Sequence, residues 1–388
     1  MIDRLKADGA ERYKCLNLAL DLLCRETLDL GLLREKIAAS RGKTTWLVAD
    51  LVDGLNQRYP LPPPPAEFTV LATDGSHIDV DRHRSTRCYL INIGSVVLHY
   101  GSASRASLDS SPRLYSGDEE LTIAAPPGGG RDQVVEGTLL GIKRGVDECG
   151  QLARLATELP DGSRSLALVD GSLILWPLEP YADFVKEALL NRGFLSYLAE
   201  IKELNSGERQ VALASYISFP RSTDVVNVLR LALCPHQPAD CDRYCSGGEQ
   251  RTCDAVAGVR DRELFSGLLE PGERSALFIT PSKIVEQYYG EHRVYFFYLR
   301  VDDEIARVEI PRWVATEAKL LGLVHSLVLD QCRRGQGYPV ALSEAHEQAV
   351  VTAADRENFW QLVDSLLVAE QLPSVCSAKS RSKWTRWV

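Results

Sequence analysis

The chain has 388 residues, a net charge of -9 and ten cysteines. That length can bury a large core, and the acidic balance argues against indiscriminate nucleic-acid binding, which depends on neutralising phosphates. No apolar run approaches the roughly 18 residues of a membrane helix, and the start, MIDRLKADGAERYKCLNL, is charged rather than signal-like, so a cytoplasmic protein with no membrane contact is expected, its cysteines serving as free thiols or metal ligands.

Residues 1–58 read as helices, with Leu16, Leu18, Leu20, Leu22 and Leu23 in one apolar segment and TTWLVADLVDGL in a later one ending at a glycine. The run PLPPPP over residues 60–65 then predicts a stiff extended connector, because proline fixes its own φ and pushes its predecessor out of helix. Strand signals follow in EFTVLATDGS, in RCYLINIGSVVLHYG and in a shorter candidate around RLYSGDEELTI, which together suggest an antiparallel meander. Over residues 132–158 the period changes: Val135, Leu139, Ile142 and Val146 mark a helix face packed on a sheet. SLALVDGSLIL is a continuous apolar strand, residues 180–204 a second helix, and RQVALASYISF a fifth strand. Beyond it come a capped helix from SFPRSTDVVNVLRLAL, a hairpin from VYFFYLR and IARVEIP, and helices over 313–334 and 343–369. The expected divisions are 1–66, a helical segment with the connector; 67–352, the main domain, with a Cys-rich insertion at about 232–256; and 353–388, a helix and a basic tail.

Three strands, helix, strand, helix, strand is the order of a ribonuclease H-like α/β core, a mixed five-stranded sheet with helices, here with helical elaborations at both ends. In that order the first and fourth strands are neighbours, and both break into Asp-Gly-Ser, at Asp74 and at Asp170. Taken singly, each tripeptide fits a turn. Taken together, two carboxylates at adjacent strand ends make sense as ligands of a divalent ion, since an unpartnered buried carboxylate is costly. A third acid is expected from the intervening helix. Glu148 shares a stripe with Leu152 and Leu155, and Glu136 is its rival.

Other candidates weigh differently. SRGKTT lacks the first glycine of a phosphate loop, that position being Ile37, and His77, Asp79 and Asp81 fall on the pleat opposite Asp74, as a polar hairpin face would. Cys234, Cys241, Cys245 and Cys253 crowd one turn-rich loop and suit zinc or an iron-sulfur cluster, though their spacing matches no standard finger. By pattern alone His346 and Tyr298 read as core residues. The tail KSRSKWTRWV carries Lys379, Arg381, Lys383 and Arg386 without an acid, interleaved with Trp384 and Trp387, and suits contact with DNA or a partner.

The stretches ATDGS, KRGVDECGQL, LVDGSLILW, SYISFPRSTDVVNVLR, FFYLR with IARVEIPRW, and GYPVALSEAHEQAV, taken in order over residues 67–352, resemble the NurA nucleases, partners of HerA-type DNA translocases. The resemblance implies a ribonuclease H-like core and a metal-dependent DNA nuclease favouring manganese over magnesium. Its metal ligands would be Asp74, Asp170 and an acid of the helix, with His346 and a hydroxyl from the YFFYLR strand completing the site: Tyr298, or Tyr295 with the register shifted. It further implies a homodimer working with a hexameric HerA-like ATPase on DNA ends in double-strand break repair, as a 5′–3′ exonuclease, an endonuclease or both. The competing expectations are a non-catalytic DNA-binding or adaptor subunit of a ring ATPase, and a metal phosphohydrolase acting on small molecules.

Overall fold

The computed structural model describes residues 2–25, 29–81, 84, 86–245 and 251–371, with side chains from residue 9 onward. In chain order its main elements are α1 (Ile2–Leu23), α2 (Leu30–Ala39), β1 (Phe68–Ile78), β2 (Tyr89–Tyr100), β3 (Arg105–Tyr115), α3 (Thr138–Thr157), β4 (Arg164–Asp170), a helical run α4 over residues 183–203, β5 (Gln210–Ile217), α5 (Asp224–Leu233), α6 (Asp261–Ser266), β6 (Val294–Val301), β7 (Glu304–Pro311), α7 (Ala318–Arg334), α8 (Val340–Ala349) and α9 (Ala353–Ala369). The fold is mixed α/β, and β1-β2-β3-α3-β4-α4-β5 is the order expected of a ribonuclease H-like core.

The chain groups into two compact units. The first comprises Met1–Ala66, Arg164–Ile174 and Gln210–Val340, and the second Glu67–Ser163, Leu175–Arg209 and Ala341–Val388, as far as these are described.

In the second unit β1, β2 and β3 form an antiparallel meander, with Asp74 opposite Gly94 and Asn92 opposite Pro112. α3 lies on β1 because one stripe of it is apolar: Leu139, Ile142, Val146, Leu152 and Leu155 are buried, and the Thr73 hydroxyl donates to the Glu148 carbonyl at 3.0 Å. The run α4 contains a π-helical stretch, Glu187–Leu195, in which Gly193 lets Val146 of α3 approach; a Cβ there would lie 2.8 Å from Val146 Cγ1.

Three expectations are corrected here. β1 continues to Ile78, so Asp74 lies inside a strand and not at its end. The third strand ends at Tyr115, where the candidate around RLYSGDEELTI was to begin, because RASLDSSPRLY pairs along its length with β2 while remaining exposed and polar. An edge strand of that kind has no alternation to read. Residues 45–56, expected to be helical, run as irregular chain with a short strand, Asp50–Leu51, which pairs with Phe278–Ile279. Tertiary pairing there overrides an apolar pattern of helical spacing.

In the first unit β4 and β5 are parallel, with Asp170 level with Tyr216, and β5, β7 and β6 continue antiparallel. The core gathers Ala19, Leu22 and Leu23 of α1, Val225, Val228 and Leu229 of α5, and Phe265, Phe278, Phe296 and Tyr298. α5 is not capped by its own Thr223. The Asp261 carboxylate accepts from the first amides, Val225 N at 3.2 Å and Val226 N at 2.8 Å, satisfying helix-end donors from outside the segment. The expected hairpin is present, with β6 and β7 paired from Val294–Pro311 to Val301–Glu304.

Candidate active site

Both Asp-Gly-Ser stretches are built into hydrogen-bonded structure, and in each the aspartate side chain meets a residue from outside the stretch. In the first, Asp74 Oδ2 lies 2.7 Å from His346 Nδ1, and its Oδ1 accepts from Gly75 N at 2.8 Å. Gly75 leaves the space that Glu148 fills. A Cβ at this position would stand 2.5 Å from Glu148 Oε1 and 2.9 Å from Arg144 Cγ. Ser76 donates to the Ala349 carbonyl at the end of α8, which Asn92 Nδ2 also reaches at 3.0 Å. These two bonds, with Gly94 where a Cβ would meet Ala345 O at 2.3 Å, seat α8 directly on β1 and β2 and so bring His346 to Asp74.

Thr73 and Gly75 share the pleat that faces α3, whereas Asp74 faces α8 with Gly94. Glu148 reaches β1 at Gly75, the residue next to Asp74, through the space the missing side chain leaves. Glu148 is 9% exposed, and Arg144 Nε stands 3.0 Å from its Oε1, an ion pair of opposite charges one helical turn apart. Glu136, its rival, precedes the helix, which begins at Thr138. The His346 side chain is 64% exposed, so its ring is open to solvent while Asp74 fixes its orientation. A neutral ring donating Nδ1–H to the carboxylate keeps Nε2 as an acceptor.

The second stretch closes β4. Gly171 has φ 82, in the left-handed region where glycine alone is unstrained, and its N–H donates to Tyr216 O at 3.0 Å. Asp170 is exposed, and Tyr338 donates its hydroxyl to Asp170 Oδ1 at 2.9 Å. Tyr338 is held by the turn after α7, where a Cβ at Gly335 would lie 2.0 Å from Tyr338 O, and by edge packing on the buried Tyr216 at 5.6 Å. Sequence reasoning missed Tyr338. It lies eight residues before His346, in the same GYPVALSEAHEQAV stretch.

Tyr298 corrects the expected aromatic hydroxyl. It is 0% exposed, packed on Phe265, and its hydroxyl donates to Asp261 Oδ2 at 2.6 Å and lies 2.7 Å from Ser222 Oγ. Burial pushes its phenol well above the ordinary value, and burial with the nearby Asp224 charge pushes Asp261 up to about 6. A group so enclosed cannot touch a substrate. Tyr295 lies on the opposite pleat and is half-buried.

Among the described residues no group of three or more His, Cys, Asp or Glu side chains is arranged to hold a metal ion. That applies to the loop cysteines as well, all four of which are free. Cys245 nonetheless follows Cys241 by one helical turn, with Cys245 N donating to Cys241 O at 3.0 Å, and burial raises its thiol pKa with Cys241 and Cys234 adding to the effect. Burial likewise raises the Cys253 thiol, with Cys234 again close enough to contribute. The tail residues Lys379, Arg381, Lys383 and Arg386 lie outside the described residues. No described helix is long and apolar enough to cross a membrane.

Residues 68–351 match the NurA domain family, a span that includes Asp74, Glu148, Asp170, Tyr338 and His346. The chain belongs to the NurA family. No curated protein matches it. Among solved structures it is similar to the native protease–reverse transcriptase of prototype foamy virus, at 14% identity and a TM-score of 0.22, over 40% of this chain and 18% of that one. The NurA chain thus spans less than a fifth of that protein.

Proposed function

We propose that this NurA protein is a metal-dependent DNA nuclease in which Asp74, Glu148 and Asp170 supply carboxylate ligands to manganese or magnesium. The observation that carries the reading is the 2.7 Å contact between Asp74 and the solvent-open His346, inside the matched family span. The donors fit the ion: they are hard carboxylate oxygens, and Gly75 reserves room for Glu148 beside the strand. Bound divalent ions would supply positive charge against the scissile phosphate and acidify an attacking water. His346, oriented through Nδ1, offers Nε2 to move a proton at the phosphate or the leaving oxygen. Tyr338 steadies the Asp170 carboxylate through its hydroxyl and takes the place expected for Tyr298.

The test is manganese-dependent cleavage of labelled single- and double-stranded DNA by folded variants. Asp74→Asn and Asp170→Asn each lower the rate about a hundredfold or more, since Asn keeps the size and loses the ligand charge. His346→Ala loses cleavage and retains metal, and Tyr338→Phe loses about tenfold. Tyr298→Phe keeps the rate and loses about 1–3 kcal/mol of stability by leaving Asp261 and Ser222 short of a partner. Wild-type cleavage by either Asn variant sinks the reading. An adaptor subunit would bind DNA without cutting it, and a small-molecule phosphohydrolase would cleave a chromogenic phosphodiester and leave DNA intact.

The family extends the reading to DNA-end processing with a hexameric HerA-like ATPase and to a homodimer. Light scattering that finds a monodisperse monomer at micromolar concentration contradicts the dimer.

A further inference from the structure

The serine of the second Asp-Gly-Ser touches a group that the proposed chemistry does not use. Glu309 of β7 is 2% exposed, and its Oε2 accepts from Ser172 Oγ at 2.8 Å and from Leu173 N at 3.0 Å. Ser172 Oγ in turn accepts from Ile174 N at 3.0 Å. The other oxygen, Oε1, receives Arg307 Nε at 2.9 Å, and Arg307 reaches Asp224 Oδ2 through Nη1 at 2.8 Å and Thr280 Oγ1 through Nη2 at 2.9 Å. Arg307 also lies over the Phe296 ring, 3.7 Å from its centroid. On the far side of the loop the Tyr289 hydroxyl donates to Leu173 O at 3.0 Å.

A buried guanidinium stays charged and requires carboxylates, so Arg307 fixes the Glu309 carboxylate in one rotation. That rotation turns Oε2 toward the chain just after Asp170, and a buried carboxylate oxygen demands donors. The conformation of residues 172–174 that supplies them also sets the backbone from which the Asp170 side chain projects. Gly171, at φ 82, is the bend that makes this compatible with the strand.

We infer that Ser172 and Glu309, locked by Arg307 and Asp224, are positioning residues for Asp170. They act on a metal ligand through the backbone and touch neither metal nor DNA. The inference rests on the reading of Asp170 as a ligand and adds the residues that hold it. A purely structural pin would stabilise the strand end and leave metal affinity alone.

Ser172→Ala separates the two, because it removes one hydroxyl and keeps the buried ion pairs. The expected result is a melting temperature within about 4 °C of wild type, manganese affinity by calorimetry weakened roughly tenfold, kcat lowered by a similar factor and KM for DNA unchanged. Ser172→Thr, which restores the hydroxyl, returns both affinity and kcat. A Ser172→Ala variant that binds manganese and cleaves as wild type does overturns the positioning role while leaving the nuclease reading intact. Wild-type protein that neither binds manganese nor cleaves DNA overturns both together, and the two failures are thereby told apart.

Discussion

At the scale of single residues, the two Asp-Gly-Ser copies use glycine for different reasons. Gly171 is needed for its positive φ, whereas Gly75 sits in extended strand and is needed for the volume it leaves empty. The distinction has a measurable consequence. In Gly75→Ala the new Cβ meets Glu148 Oε1 at 2.5 Å and Arg144 Cγ at 2.9 Å, both on flexible side chains that can move aside. The expected outcome is a modest loss of stability, about 1–2 kcal/mol by denaturant titration, with a loss of cleavage far larger than that. In Gly94→Ala the Cβ meets backbone, Ala345 O at 2.3 Å and Ala349 N at 2.5 Å, which cannot yield without lifting α8 from the sheet. That variant should lose more stability than Gly75→Ala. Equal losses at the two positions, or full activity in Gly75→Ala, would remove the steric argument for Glu148.

At the scale of elements, what could be read in advance follows from how local the determining forces are. The helix face of α3, the parallel strand β4, the β6–β7 hairpin and the helices after it declare themselves through apolar periodicity, and each is present. β3 was misplaced because an exposed edge strand is specified by pairing with β2 and not by its own side chains. Residues 45–56 were misread because the partner of Asp50–Leu51 lies at Phe278–Ile279, more than two hundred residues away in sequence. Asp74 and Asp170 stand out as a repeated motif and Glu148 through helical periodicity, whereas His346 is singled out only by the family resemblance, its local pattern being that of a core residue. Tyr298 is not excluded by sequence, because the core that buries it is built with Phe265 and Phe278 from segments distant along the chain, and Tyr338 is hidden in a turn. The cysteine loop remains a proposal at this scale. Cys234 ends α5, Cys241 and Cys245 flank a short helix, and Cys253 follows at a second turn. We expect the four to take one structural zinc, or an iron-sulfur cluster, because soft thiolates select such metals while the carboxylates select magnesium or manganese. Elemental analysis should find about one equivalent of zinc in colourless protein, and a chelator should lower the melting temperature without adding disulfides. Less than about a tenth of an equivalent of zinc or iron contradicts the proposal.

At the scale of the whole molecule, the proposed function requires an acidic chain of net charge -9 to meet a polyanion, which calls for its cations to be concentrated where DNA would pass. The C-terminal segment KSRSKWTRWV is the plainest concentration of charge in the sequence, with Lys379, Arg381, Lys383 and Arg386 and no acid. Ammonium and guanidinium groups that neutralise phosphates release counterions, and each released ion adds close to one unit to the slope of log affinity against log salt. Trp384 and Trp387, spaced between the charges, add faces on which unpaired bases stack whatever their sequence. Truncation after Val375 should therefore weaken binding to a single-stranded oligonucleotide and flatten its salt dependence by about 3 units on a logarithmic plot, as expected for four charges on a single strand. The same truncation should leave the melting temperature unchanged. If DNA affinity, the salt slope and capture of a HerA-like ATPase all survive truncation, the tail is a solvated end and the cations that hold DNA lie elsewhere. If affinity falls while the salt slope is unchanged, the tryptophans carry the contact and the charges do not, an outcome that Trp384→Ala and Trp387→Ala in the full chain would reproduce.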